Sequence, residues 1–116
     1  MLTLVATNNH LVAKTIAKQL LQLDQACVCA YSFEEASLIY KNQRPDKVII
    51  DVALKSESGL TLTQLIRKEY QSVTPLLLLG KINVQSEIEQ QLAEGANASL
   101  TYPFQTRQFS EAFKKL

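Results

Sequence analysis

The chain has 116 residues, of which 47% are apolar and 20% are charged, a composition typical of one soluble globular domain. Twelve Lys and Arg residues against eleven Asp and Glu residues give a net charge of +1, so this domain offers no basic surface for nucleic acid. No apolar run is long enough to span a membrane and no signal peptide is visible, so we expect a cytoplasmic protein without membrane contact.

The first half of the chain alternates short apolar runs with helical patterns. Residues 2–6 predict a strand, and "TNNH" precedes a helix whose apolar residues recur at spacings of three and four. "ACVCA" at 26–30 predicts a second strand, and "SFEE" has the form of a capping box for a second helix that ends near Asn42. "KVIID" at 47–51 lacks polar alternation, which predicts a central strand covered on both faces.

The second half of the chain repeats the same alternation. Ser58 and Gly59 are expected to begin a third helix, and "PLLLL" at 75–79 predicts another doubly covered strand that ends at Gly80. A fourth helix, a strand at 98–102 and a fifth helix follow.

Strand and helix therefore alternate five times along a single domain, residues 1–116. Such alternation implies parallel strands joined by right-handed crossovers. The predicted fold class is α/β, a three-layer, doubly wound, five-stranded parallel sheet with helices on both faces.

Two cysteines and one histidine limit the possible metal and redox chemistry. Cys27 and Cys29 are two residues apart in the second predicted strand, so both side chains point to one face without the geometry for a disulfide. We expect two buried free thiols. A metal site would need more ligands than these two and His10, and the sequence shows no partner at ligand spacing.

The carboxyl ends of the strands are where an open parallel sheet binds ligands. Asp51 ends the central strand there. Thr7 follows the first strand, Gly80 and Lys81 follow the fourth, and Tyr102 ends the fifth. The chain has only three glycines, which excludes a glycine-rich phosphate loop, and the lone His10 supports no catalytic triad.

Two stretches resemble the receiver domains of two-component response regulators: "PDKVIIDVALKSESGL" at 45–60 and "EGANASLTYPF" at 94–104. The resemblance covers the whole chain and implies a flavodoxin-like sheet with strand order 2-1-3-4-5. In active receivers, an aspartate at the end of the third strand accepts a phosphoryl group from a histidine kinase. An acidic pair after the first strand holds a magnesium ion for this transfer.

The phosphoacceptor of the family is kept, but most of the residues around it are not. Asp51 matches the phosphoacceptor, and Ala53 matches the residue whose backbone carbonyl binds the metal. No Asp or Glu occurs between Met1 and Leu23, so the acidic pair is missing in any alignment register. The degenerate positions are Ala6 and Thr7 for the acidic pair, Gly80 for a Ser or Thr, Ser99 for an aromatic switch residue, and Tyr102 for a Lys.

These substitutions remove charge that phosphoryl transfer needs. A single carboxylate is a poor magnesium site, and a neutral phenol does not replace an ammonium group. The hydroxyl of Tyr102 can still donate a hydrogen bond to Asp51. Because the family commonly has a cis bond before this proline, the Tyr102–Pro103 bond is predicted to be cis.

The resemblance and its departures predict a non-enzymatic pseudo-receiver with weak or absent magnesium binding and no other cofactor. It would act by protein–protein interaction through helix four, strand five and helix five, toward a kinase, an output domain or a second copy. A homodimer is one form of this prediction.

Two alternatives remain: a receiver that is phosphorylated on Asp51, and a small-molecule binding module on the same scaffold. The cognate kinase, the output, and whether the domain stands alone or belongs to a longer protein are not readable from the sequence.

Overall fold

A computed structural model describes all 116 residues, and five parallel strands form its central sheet. The strand order is 2-1-3-4-5, as predicted, and each neighbouring pair is parallel. The strands are β1 (Leu2–Ala6), β2 (Ala26–Ala30), β3 (Lys47–Asp51), β4 (Leu76–Lys81) and β5 (Ala98–Tyr102). The helices are α1 (His10–Gln22), α2 (Phe33–Gln43), α3 (Leu62–Gln64), α4 (Gln85–Ala93) and α5 (Thr106–Lys114).

The first two helices begin at the capping residues that the sequence indicates. The Asn9 side chain accepts hydrogen bonds from the N–H groups of Leu11 and Val12, and the Ser32 hydroxyl accepts one from the N–H of Glu35. Each cap satisfies backbone donors that have no partner within the helix. No helix of the structure combines the length and the apolar character that a membrane span requires.

The third helix begins later than predicted. Gly59 has a φ of +87° and belongs to a turn, so the expected start at residues 58 and 59 is wrong. Thr61 is the cap instead, and its hydroxyl and the Gln64 side chain form a reciprocal capping box. After α3 the chain continues as a π-helical turn over Leu65–Glu69.

The fourth strand is longer than predicted. Gly80 does not end it, because Gly80 and Lys81 pair in register with Thr101 and Tyr102 of β5. This extension places Lys81 at the carboxyl edge of the sheet, beside Tyr102 on the adjacent strand.

Two apolar clusters cover the two faces of the sheet. The larger contains 16 buried residues and packs α2, α3 and α4 against the sheet, while the smaller contains 8 and packs α1 and α5. Val48 and Ile50 of β3 belong to the first cluster and Ile49 to the second. The prediction that β3 is covered on both faces is therefore confirmed.

The two cysteines differ in one respect from the expectation. Both are free, as predicted, but they are half-buried rather than buried, because β2 is an edge strand. Their Sγ atoms lie 3.9 Å apart on the α1 and α5 side of the sheet.

Candidate functional site

Asp51 lies at the carboxyl end of β3, and only 2% of its surface is exposed. Its Oδ2 atom accepts a hydrogen bond from the Thr7 hydroxyl at 2.8 Å and a longer one from the Tyr102 hydroxyl at 3.4 Å. Its Oδ1 atom accepts from the N–H of Ala53 at 3.0 Å. The protein itself therefore supplies the donors that a buried carboxylate needs.

Thr7 connects Asp51 to the start of α1. The residue is buried, and its N–H donates to the carbonyl of Ala30, so the backbone after β1 is fixed. Its hydroxyl donates to Asp51 and accepts from the N–H of Asn9 at 3.1 Å. The structure thus shows a neutral hydroxyl beside Asp51 at a position where the resemblance predicts an acid in active receivers, while the neighbouring Ala6 is fully buried in the core.

Tyr102 approaches the same carboxylate from β5. Burial, and then the nearby charge of Asp51, raise the pKa of the Tyr102 hydroxyl above its usual value. The phenol therefore keeps its proton and donates, as the sequence predicts. The Tyr102–Pro103 bond is cis, which confirms that prediction.

Gly80 is enclosed by two side chains of the α4 region. A Cβ atom added at Gly80 would lie 2.8 Å from Val84 Cγ2 and 2.9 Å from Ile88 Cδ1. A Cβ atom in a folded protein essentially never has a contact this short, so a Ser or Thr at this position requires Val84 and Ile88 to move. The glycine is thus matched to the packing of its neighbours.

Ser99 has no aromatic ring that could act as the rotating switch predicted from the resemblance. It lies on β5 between Ala98 and Leu100, and its side chain is exposed. The five degenerate positions consequently have different surroundings. Ala6 is in the core, and Thr7 and Tyr102 contact Asp51, whereas Gly80 is buried against Val84 and Ile88 and Ser99 is exposed.

An open cleft of about 380 Å³ lies in front of Asp51. It contains one carboxylate and one ammonium group, the latter from Lys81. Its lining residues are Asn8, Asn9, Asp51, Val52, Ala53, Lys81, Asn83, Val84 and Tyr102.

This set of side chains does not fit the magnesium site of active receivers. Magnesium prefers an octahedron of oxygen ligands that includes one or two carboxylates. Asp51 is the only acid that lines the cleft, and both of its oxygens already accept hydrogen bonds. Thr7 adds an oxygen without negative charge.

Gln91 is a site residue that sequence reasoning missed. Only 1% of its surface is exposed. Its Nε2 atom donates a hydrogen bond of 3.1 Å to the carbonyl of Val52, the residue after Asp51. Its Oε1 atom accepts from the Thr63 hydroxyl at 3.1 Å. The available signal was its position three residues after Ile88, on the apolar face of α4.

The sequence places Lys81 at the carboxyl end of the fourth strand, and the structure confirms that it lines the cleft, although no role was predicted for it. Its register partner is Tyr102, where the resemblance predicts the lysine of active receivers. A positive charge is therefore present at this edge of the sheet, but on the neighbouring strand.

Comparisons with known proteins agree with the fold. The family model of the response regulator receiver domain matches residues 3–114. The receiver domain of the Francisella response regulator 1452 superposes with a TM-score of 0.82 at 21% identity, covering 98% of this chain and 97% of that chain. Chemotaxis protein CheY4 of Vibrio cholerae gives a TM-score of 0.85 at 20% identity, covering 98% and 96%.

A chain from Chloroflexus aurantiacus J-10-fl described as a response regulator is 28% identical, with a TM-score of 0.84 and coverage of 98% and 94%. The structural matches show that the fold is shared, and the family model extends over nearly all of the sequence. The chain therefore belongs to the response regulator receiver domain family, the signalling module of two-component systems.

Proposed function

We propose that this receiver signals through protein contacts and does not depend on magnesium-assisted phosphorylation of Asp51. The observation that carries the proposal is the set of partners around the carboxylate. Thr7, Ala53 and Tyr102 donate to its two oxygens, and no second acid lines the cleft. Phosphoryl transfer is catalysed mainly by positioning and by cancelling charge on the transferring oxygens, and this site supplies little of either.

A second observation concerns α4, which is tied to the loop after Asp51. Gln91 joins α4 to the carbonyl of Val52 and to Thr63. Glu94, just after the helix, accepts from the Thr61 hydroxyl at 3.1 Å and from Gln64 Nε2 at 2.8 Å. With Ile88 filling the space over Gly80, these contacts favour one fixed position of α4.

The surface formed by α4, β5 and α5 is the proposed contact face for a protein partner. Glu87 and Glu89 make α4 acidic, whereas α5 carries Arg107 and Lys114. Arg107 and Glu111 pair at 3.1 Å, but both are largely exposed, so this pair contributes little to stability. A second copy that places its α5 against α4 would bring opposite charges together, which is the basis for proposing a homodimer.

The homodimer is tested by light scattering at increasing protein concentration. We expect the mass to rise toward twice that of one chain, and the Glu89→Lys variant to remain monomeric. A strictly monomeric mass at high concentration would remove the homodimer and leave a different protein as the partner.

The phosphorylation-independent mode is tested by incubation with acetyl phosphate and magnesium, followed by intact mass measurement. The proposal predicts no stoichiometric phosphoryl adduct within the time that ordinary receivers need. The Asp51→Asn variant is the matched control, because any adduct that persists in it lies elsewhere. Rapid addition of one phosphoryl group that is lost in Asp51→Asn would refute the proposal.

Lys81 favours one second candidate function, a receiver that is phosphorylated with altered chemistry. Its ammonium group lines the same cleft as Asp51 and stands opposite Tyr102 in the β-ladder. This candidate predicts a slow adduct on Asp51 that requires Lys81, so the Lys81→Met variant would abolish it. Equal adduct formation in wild type and Lys81→Met would exclude a role for this lysine.

A further inference from the structure

The outer edge of β2 is an open edge of the sheet, and it lies away from the proposed contact face. β2 pairs with β1 alone, while β5 forms the opposite edge. An edge strand presents backbone N–H and C=O groups with which another strand can pair. The sequence of β2, "ACVCA", contains no charged residue and no proline, and its register with β1 is continuous. β2 therefore lacks the charges, the proline and the bulge that commonly protect an edge against strand addition.

The backbone groups of Cys27 and Cys29 point away from the sheet. The N–H of Ala26 donates to the carbonyl of Met1 beside β1. Along a strand, every second residue directs its backbone groups to the same neighbour, so residues 26, 28 and 30 face β1. The two cysteines between them face the open side, where their N–H and C=O groups can pair with a further strand.

Both ends of this free ladder are closed by the chain itself. The N–H of Gln25 donates to the carbonyl of Leu20. The N–H of Tyr31 donates to the carboxylate of Glu35 at 2.7 Å. The two cysteines thus supply the outward donors between these residues. The site is short, and it fits an added strand of about five residues, the length of β2 itself.

α1 flanks the edge on one face of the sheet and gives it positive charge. The ring of His10 stacks on the ring of Tyr31, with centroids 4.1 Å apart, so this side of α1 lies beside the end of β2. Lys14 and Leu21 follow His10 at spacings of four and eleven and share its side of the helix. Both are exposed. α1 contains no acidic residue that could neutralise Lys14 and Lys18.

α2 flanks the edge on the other face with apolar side chains. The bond from the Tyr31 N–H to Glu35 fixes which side of α2 lies at the edge. Leu38 and Ile39 follow Glu35 at spacings of three and four, so they share this side. Leu38 is 60% exposed, and Ile39 and Val28 both pack on the larger apolar cluster. An added strand would therefore meet apolar surface on this face and positive charge on the other.

A second copy of the chain does not suit this edge. Two β2 strands would pair antiparallel about a twofold axis, which places α1 of one copy beside α1 of the other. Lys14 and Lys18 of both copies would then come together, and like charges brought together in an interface oppose binding. An extended segment of a different protein avoids this repulsion and supplies opposite charge if it is acidic.

We propose that the edge of β2 binds an extended segment of a protein partner as an additional strand, and that acidic and apolar side chains alternate along this segment. Side chains of a strand point alternately to its two faces, so the acidic ones reach Lys14 and Lys18 while the apolar ones contact Leu38 and Ile39. Backbone hydrogen bonds supply affinity in this mode of binding, and alternate side chains supply specificity. The site is independent of Asp51 and of the proposed contact face.

The test uses the reduced full chain, labelled with ¹⁵N and titrated with a capped peptide in which Val and Glu alternate. We expect saturable shifts at the amides of Cys27 and Cys29. Hydrogen exchange of these two amides should slow at least about tenfold, because their N–H groups become hydrogen-bonded. A matching peptide in which Val and Lys alternate should not bind.

Two pairs of variants separate charge from strand pairing. Lys14→Glu should weaken binding about threefold or more at low salt, whereas Lys68→Glu, the same change at an exposed residue of the π-helical turn, should bind like the wild type. Cys29→Pro removes an outward N–H and leaves the ladder to β1, so it should abolish binding. Cys29→Ser keeps this N–H and should bind. Circular dichroism checks that all variants fold.

Three results would overturn the proposal. The first is the absence of saturable shifts at β2 with the Val and Glu peptide up to about 1 mM. The second is equal binding of the Val and Lys peptide, or full binding by folded Cys29→Pro. The third is slow exchange of the Cys27 and Cys29 amides in the chain alone together with a doubled mass, which would assign the edge to a second copy.

Discussion

Replacing Gly80 by Ala tests whether Val84 and Ile88 leave no room for a side chain at this position, where the resemblance predicts a Ser or Thr in active receivers. An added Cβ would lie 2.8 Å from Val84 Cγ2 and 2.9 Å from Ile88 Cδ1, both too close. Without a clash, a Gly to Ala change stabilises a protein by about 0.4 to 1 kcal/mol, because the unfolded chain loses freedom. Overpacking a core instead costs about 1 to 3 kcal/mol. The sign of the change in the free energy of unfolding therefore shows whether overpacking occurs at Gly80.

We expect Gly80→Ala to lower the free energy of unfolding by a net amount of about 1 to 2 kcal/mol. In thermal unfolding this corresponds to a Tm lower by about 4 to 8 °C for a chain of this size. Urea denaturation followed by circular dichroism gives the same quantity from the shift in midpoint.

A double-mutant cycle connects the loss to its cause. Val84→Ala removes the nearest methyl group, and Ile88→Val removes the next nearest, so Gly80→Ala should cost less in that double background. A neutral or stabilising Gly80→Ala in the wild-type background would refute the packing argument. An equal cost in both backgrounds would assign the loss to another cause.

Three further predictions concern single side chains. Thr7→Val removes the closest donor to Asp51, so it should lower the free energy of unfolding at neutral pH by about 1 to 3 kcal/mol. An unchanged midpoint in urea denaturation would contradict this prediction. Folding raises the pKa of the Tyr102 hydroxyl, so the protonated phenol contributes its full stabilisation below about pH 10. This contribution is lost as the pH rises through the pKa of Tyr102 in the folded protein, and the free energy of unfolding of Tyr102→Phe should lack this loss. Burial is the largest cause of the raised pKa of the Cys27 thiol, and it persists in the Cys29→Ser variant. Cys27 in this variant should therefore react with iodoacetamide at pH 8 at least about tenfold more slowly than a free thiol, and an equal rate would refute this.

Much of the fold could be predicted because its signals are local. Doubly covered strands lack polar alternation, as β3 does, and the helix starts after Asn9 and Ser32 follow from side chains that cap within a few residues. The five-fold alternation then leaves few topologies open.

The errors arose where a local signal had a second meaning. Gly59 indicated a helix start, but its positive φ serves a turn, and the capping box of Thr61 begins the helix instead. Gly80 indicated the end of a strand, but it is a small residue inside β4 that makes room for Val84 and Ile88. For Gly80, only the packing of Val84 and Ile88 distinguishes the two meanings.

The candidate site was predicted in part. Asp51 and the hydrogen bond from Tyr102 follow from strand ends and from the chemistry of a phenol. The role of Gln91 depends on which residues α4 brings near the strand ends, and spacing along the chain does not carry that information. The position of Lys81 at a strand end was predicted, but its pairing with Tyr102 was not.

The central claim is that Asp51 does not control this receiver through a magnesium-bound phosphoryl group. Amide nuclear magnetic resonance spectra recorded with magnesium and beryllofluoride, a mimic of the phosphoryl group, test this most directly. The account predicts that amides near Ala53 and along α4 and β5 keep their positions, as in the Asp51→Asn control. Saturable shifts at Ala53 that extend into α4 and β5, and that vanish in Asp51→Asn, would contradict it.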